Sequence, residues 1–230
     1  MKKLILTALM VILLTSGLLV GCAPPYTQTY DFTDFTRIEV GNAFQVEVTQ
    51  SDSYSIRITA LEDLFSLIQV SKEGETLKIS LTPTIPLVGI KKAVITMPDL
   101  RAINLSGATK GTIKGFSSSH DFNLDLSGES GLDGDLAAGD IDFDVSGAST
   151  VKLDGSAQDI DVDASGASRV KLAEFSVNNA DVTLSGASTG TVNLSGKLDA
   201  NLSGASKLSY IGKPTMSNIN TSGGSTLSKK

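Results

Sequence analysis

The chain has 230 residues, one cysteine, no tryptophan and a formal net charge of −6. A single cysteine excludes an intrachain disulfide framework. The negative charge argues against nucleic acid as a partner, because proteins hold nucleic acid mainly through lysine and arginine on phosphates. Aromatic residues make up only 5% of the chain and glycine is frequent, at 22 residues. This composition is typical of many short strands joined by tight corners, and not of a helical bundle.

The N-terminal residues have the pattern of an export signal. Two lysines precede a predominantly apolar run of 17 residues that ends in Leu19-Val20-Gly21-Cys22, an ending that resembles a bacterial lipobox. In such signals cleavage follows the glycine and the cysteine is lipidated, so we predict a signal peptide at 1–21, lipidation of Cys22, and attachment to a membrane of the bacterial cell envelope. The alternative is an uncleaved membrane anchor, since 17 residues approach spanning length. Both place the remainder outside the cytoplasm.

Residues 22–30 are predicted to be a short tether. Residues 31–100 contain alternating apolar and polar runs at irregular spacing, which predict β-strands. We expect this region to be a less regular β cap, because an uncapped solenoid end exposes unpaired strand edges. Residues 101–225 are predicted to form regular coils, and 226–230 a polar tail. Together 31–225 are expected to form a single domain.

The second half of the chain repeats a small-residue motif of the type Ser-Gly-Ala-Ser every 18 to 21 residues. A period this short, repeated seven times, is the signature of a solenoid. The first serines of the seven copies are Ser106, Ser127, Ser146, Ser165, Ser185, Ser203 and Ser222.

The pattern within each unit predicts strands. In the unit that contains Ser165, Ile160, Val162 and Ala164 alternate with aspartates, and period two indicates a strand with one buried face. A unit of about 19 to 20 residues with short strands is one turn of a parallel β-helix. The small-residue motif would then occupy the corner between two strands, where glycine permits backbone angles that a side chain resists. The motif is therefore interpreted as architectural.

The order of these elements resembles a known family. A lipoprotein signal is followed by "F-x-x-F-x-x-I-x-V" from Phe32, by "GNAFQVEVTQ", by "P-x-L-x-x-I-x-L-S-G" from Pro98, by the serial motifs, and by "YIGKP" at 210–214. This resembles the putative auto-transporter adhesin family, head GIN domain, over residues 31–225. The resemblance implies a right-handed parallel β-helix that is exported and often lipid-anchored. It supplies no catalytic residues.

Acidic residues recur at fixed distances before the motif and predict a grid of carboxylates on one face. Like charges on neighbouring strands repel, and either solvent with counterions or bound Ca²⁺ would relieve the repulsion. A solvated acidic face is the simpler interpretation, and a weak Ca²⁺ site is the alternative. No other cofactor is expected. The residues named for such a site are Asp142, Asp144, Asp161 and Asp163.

These observations predict a non-catalytic, surface-exposed binding or adhesin-like domain. Its expected partners are the membrane, through the lipid on Cys22, and a polysaccharide or a surface protein; a homo-oligomer is also compatible with a solenoid. One alternative is a polysaccharide-active enzyme that uses the aspartate face, which is an analogy with other β-helix proteins only. The absence of tryptophan and of long inserted loops disfavours it. The other alternative is a purely structural envelope lipoprotein.

Overall fold

The computed structural model describes residues 25–82 and 89–230, and these fold into two large β-sheets. The predicted lipidation site, Cys22, lies outside the described residues. No helix within 25–82 and 89–230 has the length and apolar character needed to cross a membrane. One 3-10 helix spans Glu62–Ser66.

Sheet 1 has eleven strands and sheet 2 has ten. Sheet 1 contains β1 (Tyr26–Tyr30), β3 (Gln45–Gln50), β4 (Ser55–Ala60), β7 (Lys91–Met97), β9 (Lys110–Ser117), β11 (Gly131–Ala137), β13 (Thr150–Ser156), β15 (Arg169–Val177), β17 (Thr189–Leu194), β19 (Lys207–Gly212) and β21 (Thr226–Lys229). Sheet 2 contains β2 (Arg37–Val40), β5 (Ile68–Glu73), β6 (Thr76–Leu81), β8 (Ala102–Leu105), β10 (Phe122–Leu126), β12 (Ile141–Val145), β14 (Asp159–Ala164), β16 (Asn179–Leu184), β18 (Lys197–Leu202) and β20 (Thr215–Thr221).

From β8 to β21 the chain makes seven coils, each with one strand in sheet 2 followed by one in sheet 1. All pairings between successive coils are parallel, and equivalent residues of the repeats are in register, as in Asp142 beside Asp161 and Val162 beside Val182. The inward residues of every coil join one continuous apolar core. The prediction of a parallel β-solenoid is confirmed.

The small-residue motif forms the corner between the two strands of a coil. At 165–168 Gly166 has a φ of +74°, a left-handed angle that favours glycine. The amide of Ala167 donates to the carbonyl of Gly147 in the preceding coil at 2.7 Å. The Ser168 hydroxyl, buried in the corner, donates to the carbonyl of Ser165 at 2.7 Å. The corner therefore bonds both to itself and to its neighbour in the stack.

The region expected to be an irregular cap contains two further coils. β2 and β3 are joined through 41–44, where Asn42 and Ala43 have positive φ like Gly107 and Ala108 of the next corner. β2 pairs with β8 and β3 with β9, both in parallel, so this coil begins the stack. β6 and β7 then pack on its other side, again in parallel. The cap is thus smaller than predicted, because only β1, β4, β5 and the 3-10 helix depart from the solenoid.

Both predicted ends of the domain also need correction. The tether expected at 22–30 is shorter, because Tyr26–Tyr30 forms β1 and pairs antiparallel with β4. The tail expected at 226–230 is mostly a strand, because Thr226–Lys229 forms β21 and pairs in parallel with β19. In both places, a polar segment forms a strand because its backbone hydrogen-bonds to a neighbouring strand. Its apolar pattern is too weak to be recognised from sequence.

Candidate binding face

The outward side of sheet 2, here called the acidic face, carries two rows of side chains that run across the strands. The first row passes through Asp142, Asp161, Asp181 and Asp199, which are direct neighbours on β12, β14, β16 and β18. Neighbouring strands lie about 4.8 Å apart. The second row, two residues further along each strand, contains Asp125, Asp144 and Asp163. The predicted carboxylate grid is therefore present in these two rows.

A third row of aspartates, which stand six residues before the first serine of the motif, has a structural role instead. The carboxylate of Asp121 accepts a hydrogen bond from the amide of Asp140, and that of Asp140 accepts one from the amide of Asp159. Asp159 in turn accepts from the amide and the side chain of Asn179. Each of these aspartates satisfies a backbone donor where the next coil enters sheet 2, so the row reinforces the stack and does not offer free carboxylates.

In each of the two remaining rows one carboxylate has a raised pKa. Partial burial, followed by the charges of Asp181, Asp142 and Asp163, raises the pKa of Asp161. Partial burial, followed by the charges of Asp144 and Glu39, raises the pKa of Asp125. A raised pKa means that the ionised carboxylate costs free energy in the folded state. The face therefore favours cations, or ligands that donate hydrogen bonds.

Asp199, at the far end of the first row, is neutralised locally. The Lys197 ammonium lies 2.6 Å from its carboxylate, and the amide of Asn218 donates to it at 2.8 Å. The Lys197 hydrogen bond, followed by that from Asn218, lowers the pKa of Asp199 to about 2. The unbalanced charge thus lies toward the middle of the face.

The four aspartates named for Ca²⁺ lie together as two ladder pairs, Asp142 beside Asp161 and Asp144 beside Asp163. Within 25–82 and 89–230 none of these four carboxylates has a hydrogen bond or an ion pair. In the same part of the chain no three His, Cys, Asp or Glu side chains form a group that could hold a metal ion. Ca²⁺ usually takes six to eight oxygen ligands, so any ion here would retain most of its water.

A groove of about 310 Å³ opens on the acidic face beside the carboxylate rows. Across the first row it is lined by Arg37, Ala102, Asn123 and Asp142 on neighbouring strands, and the short side chain of Ala102 leaves the space. Asn104 lies in the second row and donates to Asp125 at 2.9 Å. The groove therefore combines a guanidinium, amides and carboxylates along an open channel, which suits a hydroxyl-rich ligand.

The groove residues from β2 and β6, Arg37 and Thr76, were missed by sequence reasoning. They are more than sixty residues away from Asp142 in the chain and lay in the region expected to be a cap. The segment "VGNAF" at 40–44 carried the available signal, because it aligns with "LSGAT" at 105–109 as a corner motif without serines. Recognising it would have placed Arg37 and Glu39 on the acidic face.

Comparison with protein families identifies the chain. The family model described as "Putative auto-transporter adhesin, head GIN domain" matches residues 34–214. The chain belongs to this family. The GIN-family assignment agrees with the expectation from the ordered motifs and with the observed solenoid, and the name of the family is that of adhesins and not of enzymes. No curated protein is significantly similar to the chain.

Several solved structures share the fold of this chain. A putative adhesin from Bacteroides fragilis NCTC 9343 is 23% identical, with a TM-score of 0.83, over 90% of this chain and 97% of that one. A putative lipid binding protein from Parabacteroides distasonis ATCC 8503 is 18% identical, with a TM-score of 0.74, over 91% of this chain and 98% of that one. A putative adhesin from Parabacteroides merdae ATCC 43184 is 17% identical, with a TM-score of 0.67 and the same coverage. At these identities the likeness shows the shared fold.

Proposed function

We propose that this GIN-family chain is an exported cell-envelope protein, anchored by a lipid on Cys22, whose solenoid is a surface-exposed binding domain of the adhesin type without catalytic activity. The observation that carries the binding role is the groove beside Arg37, with Asn104, Asp125 and Asp142 unobstructed along an open face. Carboxylates accept hydrogen bonds from hydroxyl and ammonium groups, and Arg37 and the amides donate them. A neutral or amino-sugar polysaccharide matches this chemistry.

The shape of the groove favours binding over turnover. A hydrolase needs a carboxylate pair at a defined separation around the scissile bond, and it usually closes around the reacting group to exclude water. The acidic face is open along its length, and the same carboxylates repeat from coil to coil. An extended polymer would contact several coils with weak individual hydrogen bonds, as an adhesive surface requires.

Calorimetric titration of residues 23–230 with neutral and amino-sugar polysaccharides tests the binding role. These residues include every strand of the fold. We expect saturable binding that Arg37→Gln and Asn104→Ala weaken, because each removes a donor from the groove. The matched control is Lys152→Gln, which removes a cation from the outer side of sheet 1 and should leave binding unchanged. Equal loss in all three variants, or no binding to any polysaccharide, would contradict this role and favour a purely structural protein.

The anchor is tested separately in cells. Metabolic labelling with a clickable fatty acid is expected to label the wild-type chain and to leave Cys22→Ala unlabelled. Cys22→Ala should also pass from the membrane fraction to the soluble envelope fraction, because stable attachment depends on acyl chains on that cysteine. Retention of Cys22→Ala in the membrane would instead support the uncleaved anchor.

A further inference from the structure

The two ends of the solenoid differ in how they are closed. At the end where the described chain begins, β1 and β5 are the outermost strands, and the 3-10 helix between β4 and β5 buries Leu64 against the core. The ring centroids of Tyr26 and Phe65 lie 5.3 Å apart there. At the opposite end, here called the tip, β20 and β21 are the outermost strands of their sheets. Within 25–82 and 89–230 nothing pairs with their outer edges.

The tip combines free backbone edges with a partly exposed apolar strip. Met216 and Ile219 continue the buried column of Leu198 and Ala200 in sheet 2, and Leu227 continues that of Leu208 in sheet 1. Met216 is 39% exposed, whereas Leu198 and Leu208 are completely buried. The free edge could hydrogen-bond to one more strand, and the apolar strip could pack against apolar residues at alternate positions of that strand.

The charge of the tip selects among possible strands. Residues 200–230 contain no aspartate or glutamate, whereas Lys207, Lys213, Lys229 and Lys230 all lie in the coils β18–β19 and β20–β21 or next to them. Lysines at exposed edges repel a second copy of the same end. The outer positions of an added strand would therefore favour acidic side chains.

We propose that the tip binds an extended segment of another protein in which acidic and apolar residues alternate, added as a strand to β20 or β21. A polypeptide backbone matches the alternating N–H and C=O groups of a strand edge in spacing, and this separates the proposed occupant from an anionic polysaccharide. Under the proposed lipid anchoring, β1 begins four residues after Cys22, so the tip is the end farther from the membrane. The docking itself does not depend on the anchor or on the polysaccharide groove.

The chain contains a suitable probe. The segment 158–165, QDIDVDAS, alternates acidic and apolar residues, and as β14 it pairs in parallel with both of its neighbours in sheet 2. A fluorescein-labelled peptide of this sequence is titrated with residues 23–230 and followed by fluorescence anisotropy. We expect saturable binding that added salt weakens, because the lysine contribution is screened.

Two variants and one modified peptide make the result specific. Lys213→Glu/Lys229→Glu reverses two charges at the tip and is expected to weaken binding roughly tenfold, the order of losing a few surface ion pairs. Lys152→Glu/Lys171→Glu makes the same charge change on the outer side of β13 and β15 and should leave the affinity unchanged. A peptide N-methylated at alternate residues keeps its charge but cannot complete the backbone ladder, and it should not bind.

Each other outcome overturns the proposal. Equal binding of the N-methylated peptide would reduce the interaction to charge alone, and equal loss in both lysine variants would remove it from the tip. Absence of saturable binding would leave the edge without this occupant. A weight-average mass in sedimentation that rises with concentration, and is altered by the tip variant only, would assign the tip to a second copy of the chain instead.

Discussion

Replacing Gly166 by alanine is expected to destabilise the solenoid more than the same change at an unobstructed glycine. Gly166 has a φ of +74°, and a Cβ added there would lie 2.5 Å from the carbonyl oxygen of Gly147. That oxygen accepts the amide of Ala167, so the corner cannot yield without losing this hydrogen bond. The left-handed angle costs alanine about 1 kcal/mol, and a weakened hydrogen bond adds about 1 kcal/mol. The expected loss in the free energy of unfolding is therefore about 2 kcal/mol.

Gly115→Ala is the matched control. Gly115 has a similar φ of +76°, but a Cβ added there would meet nothing within 4 Å, so only the backbone cost of about 1 kcal/mol is expected. Urea denaturation followed by far-ultraviolet circular dichroism measures both variants. Because solenoids can unfold in parts, the comparison uses the midpoint and the slope together. Equal destabilisation of the two variants would refute the reasoning that close stacking of corners, and not the backbone angle alone, requires glycine.

Three other predictions concern the corners and the acidic face. Ser168→Ala should lower the free energy of unfolding by about 1 kcal/mol in thermal melts, because its buried hydroxyl donates to the carbonyl of Ser165. The hydroxyl of the equivalent Ser149 has no partner within the described residues, so Ser149→Ala should be neutral. A larger loss at Ser149 than at Ser168 would contradict this. Asp161→Asn should raise the free energy of unfolding at pH 7 by about 0.5 to 1 kcal/mol, because it removes like-charge contacts with Asp142 and Asp181. The pKa of Asp161 is raised in the folded state, so its ionised carboxylate destabilises the fold at neutral pH, and this cost disappears as the pH falls through that pKa. The stability advantage of Asp161→Asn should therefore shrink on acidification. An advantage independent of pH would refute the repulsion. Ca²⁺ should raise the melting temperature of the wild type more than that of Asp142→Asn/Asp161→Asn, and equal rises in both would exclude these carboxylates as the binding position.

The regular coils could be predicted from sequence because each unit carries two independent signals, an alternating strand pattern and a glycine-containing corner. Alternation such as Ile160-Asp161-Val162 fixes which side chains face the core, and the glycine of each motif fixes the corner. Since the repeat length is nearly constant, register follows, and with it the neighbourhood of Asp142 and Asp161. These are local signals repeated often enough to be unambiguous.

The first two coils could not be predicted in the same way. The corner at 41–44 uses Asn42 and Ala43 in left-handed conformations where later corners have glycine at the first position, so the motif is hidden. The stacking order also differs from the chain order, because β6 and β7 pack outside β2 and β3. Such non-local pairing is decided by tertiary packing, and for that reason Arg37 was not recognised as part of the groove.

The division of the carboxylates into structural and free rows likewise required coordinates. Asp140 and Asp142 are the same residue type, and each recurs at a fixed distance before the motif of the next unit, as Asp159 and Asp161. Only the former receives a backbone amide of the next coil, because it lies where the chain enters the strand. Side-chain direction at a corner is set by local backbone geometry that the alternating pattern does not encode.

The central claim is that the solenoid is a binding domain without catalytic activity. The most direct test exposes residues 23–230 to an array of envelope and host polysaccharides and assays the same samples for released sugar ends. The account predicts retention on neutral or amino-sugar polymers, loss of retention in Arg37→Gln, and no release of reducing or unsaturated ends. Release of such ends that depends on Asp142 or Asp161 would contradict the account and assign the acidic face to an enzyme.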